Sequence, residues 1–190
     1  MKKRIIVAVT GASGAELGHQ VLTALREQQN IEIHLILSEG AKRTIAAESS
    51  FCEADFYRLC DRSYQETEID ACISSGSFPT DGMIIVPCSM KTMAALASAY
   101  DENLVVRAAD VCLKEGRKVV IVPREMPLGR AHIKNMLTLS EYGCAIVPPM
   151  LTFYAGARSL EEQMAQVTGK VLMQFGLEYS RFKVWQGGRK

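Results

Sequence analysis

The chain has 190 residues, 48% of them hydrophobic and 23% charged, which suffices for one folded domain with its own core and excludes a disordered or fibrous chain. Lys and Arg number 22 against 21 Asp and Glu, so the chain lacks the broad basic field that general binding to nucleic acid or a membrane surface requires. The six cysteines show no CxxC spacing and stand beside only three histidines, a pattern of scattered reduced thiols rather than a zinc site.

Residues 4–10 form a continuous β-prone run, as in a strand covered on both faces. The run is too short for a signal-peptide core, and no stretch approaches a membrane span, so a cytoplasmic protein with no membrane partner is expected. Residues 15–26 carry Leu17, Val21, Leu22 and Leu25 at helical spacing. A second strand is predicted at 32–37, with helices at 41–47 and 54–60. The polar stretch 61–77 reads as loop. A third strand at 83–87 precedes a helix at 91–99. Leu104, Ala108, Val111 and Cys112 define one face of a helix over 104–115 that stops at Gly116. A strand at 118–122, a helix at 131–142, a short strand at 145–147 and a long helix at 160–175 follow. Residues 178–190 read as a peripheral tail on a domain spanning 1–177.

Alternating strands and helices specify a single α/β domain with a doubly wound, mostly parallel, Rossmann-like sheet. Ligands on such sheets sit beyond the carboxyl ends of the strands, where residues 11–14, 38–40, 87–91 and 123–127 should meet. Gly11-Ala12-Ser13-Gly14 lies between a strand and a helix, where a phosphate or a plain tight turn would both fit. It matches neither the G-x-G-x-x-G fingerprint nor a P-loop. Ser89 or Thr92 is placed to cap the next helix or hold a phosphate, with Lys91 adding charge. Arg107, Asp110 and Lys114 share a helix face, the usual sign of a solvated surface, whereas Arg124 and Glu125 are fixed at a strand end between Pro123 and Pro127. His19, His34 and His132 fall in unrelated elements and read as structural, and no carboxylate cluster has metal-ligand spacing.

Read together, several strings resemble a known family. They are Thr10-Gly-Ala-Ser-Gly-Ala15, Ser74-Ser-Gly-Ser-Phe-Pro-Thr-Asp-Gly-Met83, Pro87-Cys-Ser-Met-Lys-Thr92, Asn103-Leu-Val-Val-Arg-Ala-Ala-Asp110, Leu113-Lys-Glu115, Val122-Pro-Arg-Glu-Met-Pro127, His132-Ile-Lys-Asn-Met-Leu137 and Pro148-Pro-Met-Leu-Thr-Phe-Tyr154. Their order resembles UbiX-type flavin prenyltransferases, and within these the B subunit of bacterial phenolic acid decarboxylase systems.

The resemblance implies transfer of a dimethylallyl group from dimethylallyl phosphate to N5 and C6 of reduced FMN, without a metal. The product, prenylated FMN, is the cofactor of a UbiD-type decarboxylase. By resemblance, Ser13, Glu48, Lys114, Arg124 and Glu125 are catalytic, with Glu125 a candidate proton relay between flavin and phosphate. Gly11, Ala12, Ser13, Ser38, Ser89, Met90, Lys91, Thr92 and Arg107 correspond to FMN-binding positions. Tyr154 and Lys170 correspond to residues on the prenyl phosphate, Lys170 standing where the family carries Arg. Large homo-oligomers, dodecamers, are implied, with Tyr154 and Lys170 reaching a neighbour's flavin. Two other readings stay open: an FMN carrier, and a flavin-dependent decarboxylase acting directly.

Overall fold

The computed structural model describes residues 2–188. Strands β1 (Lys3–Val9), β2 (Ile31–Leu37), β3 (Arg62–Gln65), β4 (Gly82–Cys88), β5 (Lys118–Pro123) and β6 (Ala145–Ile146) form one sheet in the order β3-β2-β1-β4-β5-β6. Every strand pair is parallel. The chain winds outward from β1 to β3, then returns to β4 on the other side. The reversal between β1 and β4 creates the crevice in which such sheets bind ligands.

Helices cover both faces. Alternate residues of β1 enter different cores: Ile5, Val7 and Val9 pack with α1 (Ala15–Arg26) and α7 (Leu160–Met173), whereas Ile6 and Ala8 pack with α4 (Met90–Ala97) and α5 (Leu104–Lys114). The strand side chains alternate because the β repeat is two residues. The predicted apolar faces of α1 and α5 are buried throughout. Helices α2 (Glu39–Glu48) and α3 (Glu53–Tyr57) close the first core through Ile45 and Phe56, and α6 (Arg130–Glu141) lies against α4.

Two expectations are corrected. The stretch 61–77 is not all loop: it holds β3 and a 3-10 turn at Cys72–Ser74. As an edge strand β3 buries only Tyr64, so its sequence carries no apolar run. The tail after α7 is not wholly peripheral, since Tyr179 is buried in the α1/α7 core.

Tyr64 belongs to a polar chain that runs from Arg4 to Cys72. Arg4 Nε donates to Glu32 Oε2 at 3.0 Å, and Glu32 Oε1 lies 3.1 Å from His34 Nε2. His34 Nδ1 is 2.9 Å from the Tyr64 hydroxyl, which is 3.3 Å from Cys72 Sγ. A neutral imidazole satisfies every member, with Nε2–H donating to Glu32 and Nδ1 accepting from Tyr64. Burial pushes His34 below the ordinary histidine value, against the opposing pull of Glu32. The unfolded chain takes up a proton near pH 6.5 that folded His34 refuses, so stability is expected to fall as pH drops below about 6.5. His19, depressed mainly by burial, acts in the same direction. Urea unfolding at about pH 7.5 and 5.5 checks this: His34→Gln should narrow the difference between the two. An unchanged difference would leave His34 without a share in it.

Candidate active site

One hydroxyl ties together the strand ends at the crevice. Thr10 Oγ1 donates to the Pro87 carbonyl at 2.8 Å and accepts from the Ser89 N–H at 2.8 Å. Thr10 N–H donates to the same carbonyl at 3.2 Å, and the residue is buried. The turns after β1 and β4 are thereby held at a fixed spacing.

The turn after β1 also meets the start of α2. A Cβ on Gly11 would lie 2.8 Å from Gly40 Cα, and one on Gly40 would lie 3.0 Å from Gly11 Cα. Only a glycine pair permits this approach. Ser38 caps α2, its Oγ accepting from the Ala41 N–H at 3.1 Å.

Gly14 stands at the head of α1, and its N–H donates to Glu48 Oε1 at 2.6 Å. Glu16 Oε1 accepts from the Ser50 N–H and hydroxyl, each at 2.8 Å, and the Ser50 amide leads in holding its pKa below the ordinary carboxylate value. Two carboxylates thus clip the α2–α3 connection to the start of α1. The helix terminus that would attract an anion already faces the Glu48 carboxylate. A ligand phosphate at Gly14 would meet a like charge.

The head of α4 is different. Ser89 Oγ accepts from the Thr92 N–H at 3.3 Å and lies 3.1 Å from the Thr92 hydroxyl. The first N–H groups of the helix, those of Met90 and Lys91, have no intrahelical acceptor to meet. Lys91 Nζ pairs with Glu102 at 2.8 Å.

Two clefts open beside these turns. The first, of 410 Å³, is lined by Ser13, Gly14, Glu48, Pro87, Arg124 and Met164 among others. The second, of 450 Å³, is lined by Arg124, Glu125, Met126, Met136 and Met150. Arg124 borders both. Its backbone N–H is pinned to the Cys88 carbonyl at 3.2 Å, while its side chain is exposed. Glu125 Oε1 accepts from the Met126 N–H at 2.9 Å. A larger groove of 580 Å³ lies between α1 and α7 and adjoins the first cleft at Glu16, Leu160 and Met164, but its Arg181 is paired with Glu161.

The structure therefore brings Ser13, Glu48 and Arg124 to one cleft and Arg124 and Glu125 to the other, with Gly11, Ala12, Ser38 and residues 89–92 on the adjoining turns. Arg107, Lys114, Tyr154 and Lys170 line neither cleft. Arg107 Nε donates to the Ser74 carbonyl at 3.2 Å, and Nη1 faces Asp101 at 3.0 Å and Asp110 at 3.7 Å. Sequence reasoning missed Thr10 as the tie between turns, Gly40 as the partner of Gly11, and the Glu16–Ser50 clip. Thr10 and Gly40 both border motifs that had been noticed, but their roles depend on contacts between distant segments. Among the described residues no group of three His, Cys, Asp or Glu is placed to hold a metal. Nor is any helix among them long and apolar enough to cross a membrane.

A doubly wound sheet with its cation-bearing clefts at the carboxyl ends of β1, β4 and β5 defines an α/β ligand-binding protein. Residues 1–172 match the model of the Flavoprotein family. A probable UbiX-like flavin prenyltransferase of Sedimentibacter hydroxybenzoicus is 53% identical over 184 residues, 97% of each chain. The dodecameric FMN-dependent UbiX-like decarboxylase from Escherichia coli O157:H7 superposes with a TM-score of 0.95 at 51% identity, covering 97% of this chain and all (100%) of that one. AnUbiX (PadA1), solved with FMN and dimethylallyl pyrophosphate, gives 0.96 at 44% identity over 100% of both chains. The chain belongs to the Flavoprotein family and, within it, to the UbiX-like flavin prenyltransferases.

Proposed function

We propose that the protein transfers the dimethylallyl group of dimethylallyl phosphate to reduced FMN, and that the prenylated FMN serves a UbiD-type decarboxylase. The observation that carries this reading is Arg124, an exposed cation at the junction of two clefts, with Ser13 and Glu48 on one side and Glu125 on the other. The turns suit a flavin. The Gly11–Gly40 contact packs the turn after β1 directly on the head of α2, and the head of α4 offers the N–H groups and hydroxyls a phosphate needs.

When bound, reduced FMN would supply the nucleophilic N5 and C6, each of which accepts a different carbon of the dimethylallyl group. The chain's own residues handle the phosphate. Breaking the allylic C–O bond leaves negative charge on phosphate oxygen, and the Arg124 guanidinium stabilises that charge. Lys114, Tyr154 and Lys170 line neither cleft of their own subunit and are assigned to the same phosphate from neighbouring copies. Glu125, one oxygen held by the Met126 N–H, has its other oxygen available to carry a proton to phosphate. Residues 89–92 are assigned to the FMN phosphate. Arg107, bonded to Ser74, Asp101 and Asp110, acts there through the α4–α5 connection.

The protein is further proposed to work as a cytoplasmic homo-oligomer, a dodecamer. Supporting this, Met126, Ile133, Leu137, Met150 and Phe153 are exposed large apolar side chains, more than a lone subunit normally leaves in water. Light scattering of the purified protein would give the oligomeric state, and an active monomer would overturn the assembly.

Anaerobic incubation with FMN, a reductant and dimethylallyl phosphate tests the activity. The flavin should gain the mass of one isoprene unit. Bound FMN of unchanged mass would indicate a carrier, and carboxylate loss from a phenolic acid without a partner enzyme would indicate a direct decarboxylase. Ser13→Ala is expected to slow transfer by about tenfold or more while leaving FMN affinity within about twofold. The reverse outcome would return Ser13 to a simple flavin-holding role.

A further inference from the structure

The last turn of α2 carries Glu48 but has little of its own to hold it in place. The buried side chains of α2 are Ala41 and Ile45, and the residues that end it, Ala46, Ala47 and Glu48, are exposed. No basic residue offsets the negative end of the helix, so the Glu48 carboxylate sits where the α2 dipole repels it, and it turns instead to the positive head of α1. The connection that follows is what is seated. Ser50 gives both its N–H and its hydroxyl to Glu16 Oε1, and Phe51 stacks on the His19 ring with centroids 3.7 Å apart at 8°. Glu16 and His19 lie one turn apart on α1, the same helix whose head receives Glu48.

We infer that Glu16 is a positioning residue for Glu48: its grip on Ser50 fixes the end of α2, so that the Glu48 carboxylate stays on the Gly14 N–H beside Ser13 in the first cleft. This rests on the prenyltransferase reading. Ser49 is extended and closes the helix, so a single residue separates Glu48 from Ser50, and a displacement of Ser50 passes directly to the Glu48 backbone. The Ser50 amide, and then its hydroxyl, hold the Glu16 carboxyl below the ordinary carboxylate value, so it stays charged at neutral pH. Bonds to a charged acceptor are about twice as strong as neutral ones. A Glu48 that swings away opens the α1 head to water and takes its carboxylate out of the cleft, and misplacing a catalytic group costs rate. Glu16 itself borders the same cleft, so direct contact with substrate is the rival role.

Variants of the FMN-loaded enzyme separate the two roles. Glu16→Ala should lower kcat for prenyl transfer about tenfold with FMN affinity within about twofold, and Glu16→Gln, which keeps an acceptor oxygen for Ser50, should recover most of the rate. Ser50→Ala keeps the N–H bond and should fall between them. In a Glu48→Ala background, Glu16→Ala should cost nothing further, because the group it places is gone. In the purified protein before donor is added, Glu16→Ala should speed hydrogen exchange of the Gly14 amide about fivefold or more, while the amides of β1 and β4 exchange as in the parent. An unchanged Gly14 amide, or a full rate in Glu16→Ala, would overturn the inference. So would a loss that persists undiminished in the Glu48→Ala background, or a Glu16→Gln variant as slow as Glu16→Ala, since either would put Glu16 itself on the substrate. If the parent protein makes no prenylated flavin, the functional reading fails alone, and the exchange arm still decides whether Glu16 holds Glu48.

Discussion

Arg124→Ala is expected to lower kcat/KM for prenyl transfer by about two to three orders of magnitude, the effect of removing one fixed donor from a developing anion. The guanidinium borders both clefts, and its backbone is locked to Cys88 at the end of β4. The sheet therefore sets where the side chain starts. The side chain is exposed and takes part in none of the ion pairs found among the described residues, so stability should change by no more than about 0.5 kcal/mol. Arg124→Lys should recover only part of the rate, because the point charge survives and the planar fork does not. Steady-state kinetics on the loaded enzyme, with thermal melts of each variant, separate the two effects. A loss smaller than about threefold would remove Arg124 from the phosphate.

Arg107 shows the limit of reading such residues from the chain alone. Both arginines sit in strings that resemble the family, and composition cannot tell an engaged guanidinium from an available one. The partners of Arg107 come from elsewhere: the Ser74 carbonyl belongs to the 3-10 turn, Asp101 lies on the α4–α5 connection, and only Asp110 shares its helix. Core elements were easier. Strands β1, β2, β4 and β5 are buried on both faces and announce themselves as apolar runs, and α1 and α5 by their 3.6-residue repeat. Strand β3 has one buried side chain and no such signature. The convergence of the strand-end turns was legible because parallel topology dictates it. What occupies each turn was not. The carboxylate that fills the head of α1 comes from Glu48, 34 residues along the chain from Gly14, so no local pattern encodes it.

The same logic makes Gly11→Ala the most damaging small substitution in the site. Its φ is not in the left-handed region, so an alanine meets no conformational penalty there; the cost is steric. The new Cβ would lie 2.8 Å from Gly40 Cα, 3.0 Å from its carbonyl carbon and 3.3 Å from its oxygen. All three are backbone atoms, which cannot rotate aside as a side chain would. The turn after β1 and the head of α2 must therefore separate, straining the Gly14–Glu48 bond that joins the same two elements. Overpacking of this kind costs about 1–3 kcal/mol, and FMN affinity should fall about tenfold or more. Gly40→Ala offers a graded comparison. Its Cβ would meet Gly11 Cα at 3.0 Å and Gly11 N at 3.3 Å, a milder overlap, so both losses should be smaller. The two substitutions should not add, because either one already forces the turns apart. Urea unfolding and FMN titration across the three variants give the ordering. Full flavin affinity in a destabilised Gly11→Ala protein would mean that the glycine contact serves the fold alone, and that the flavin lies clear of the turn after β1.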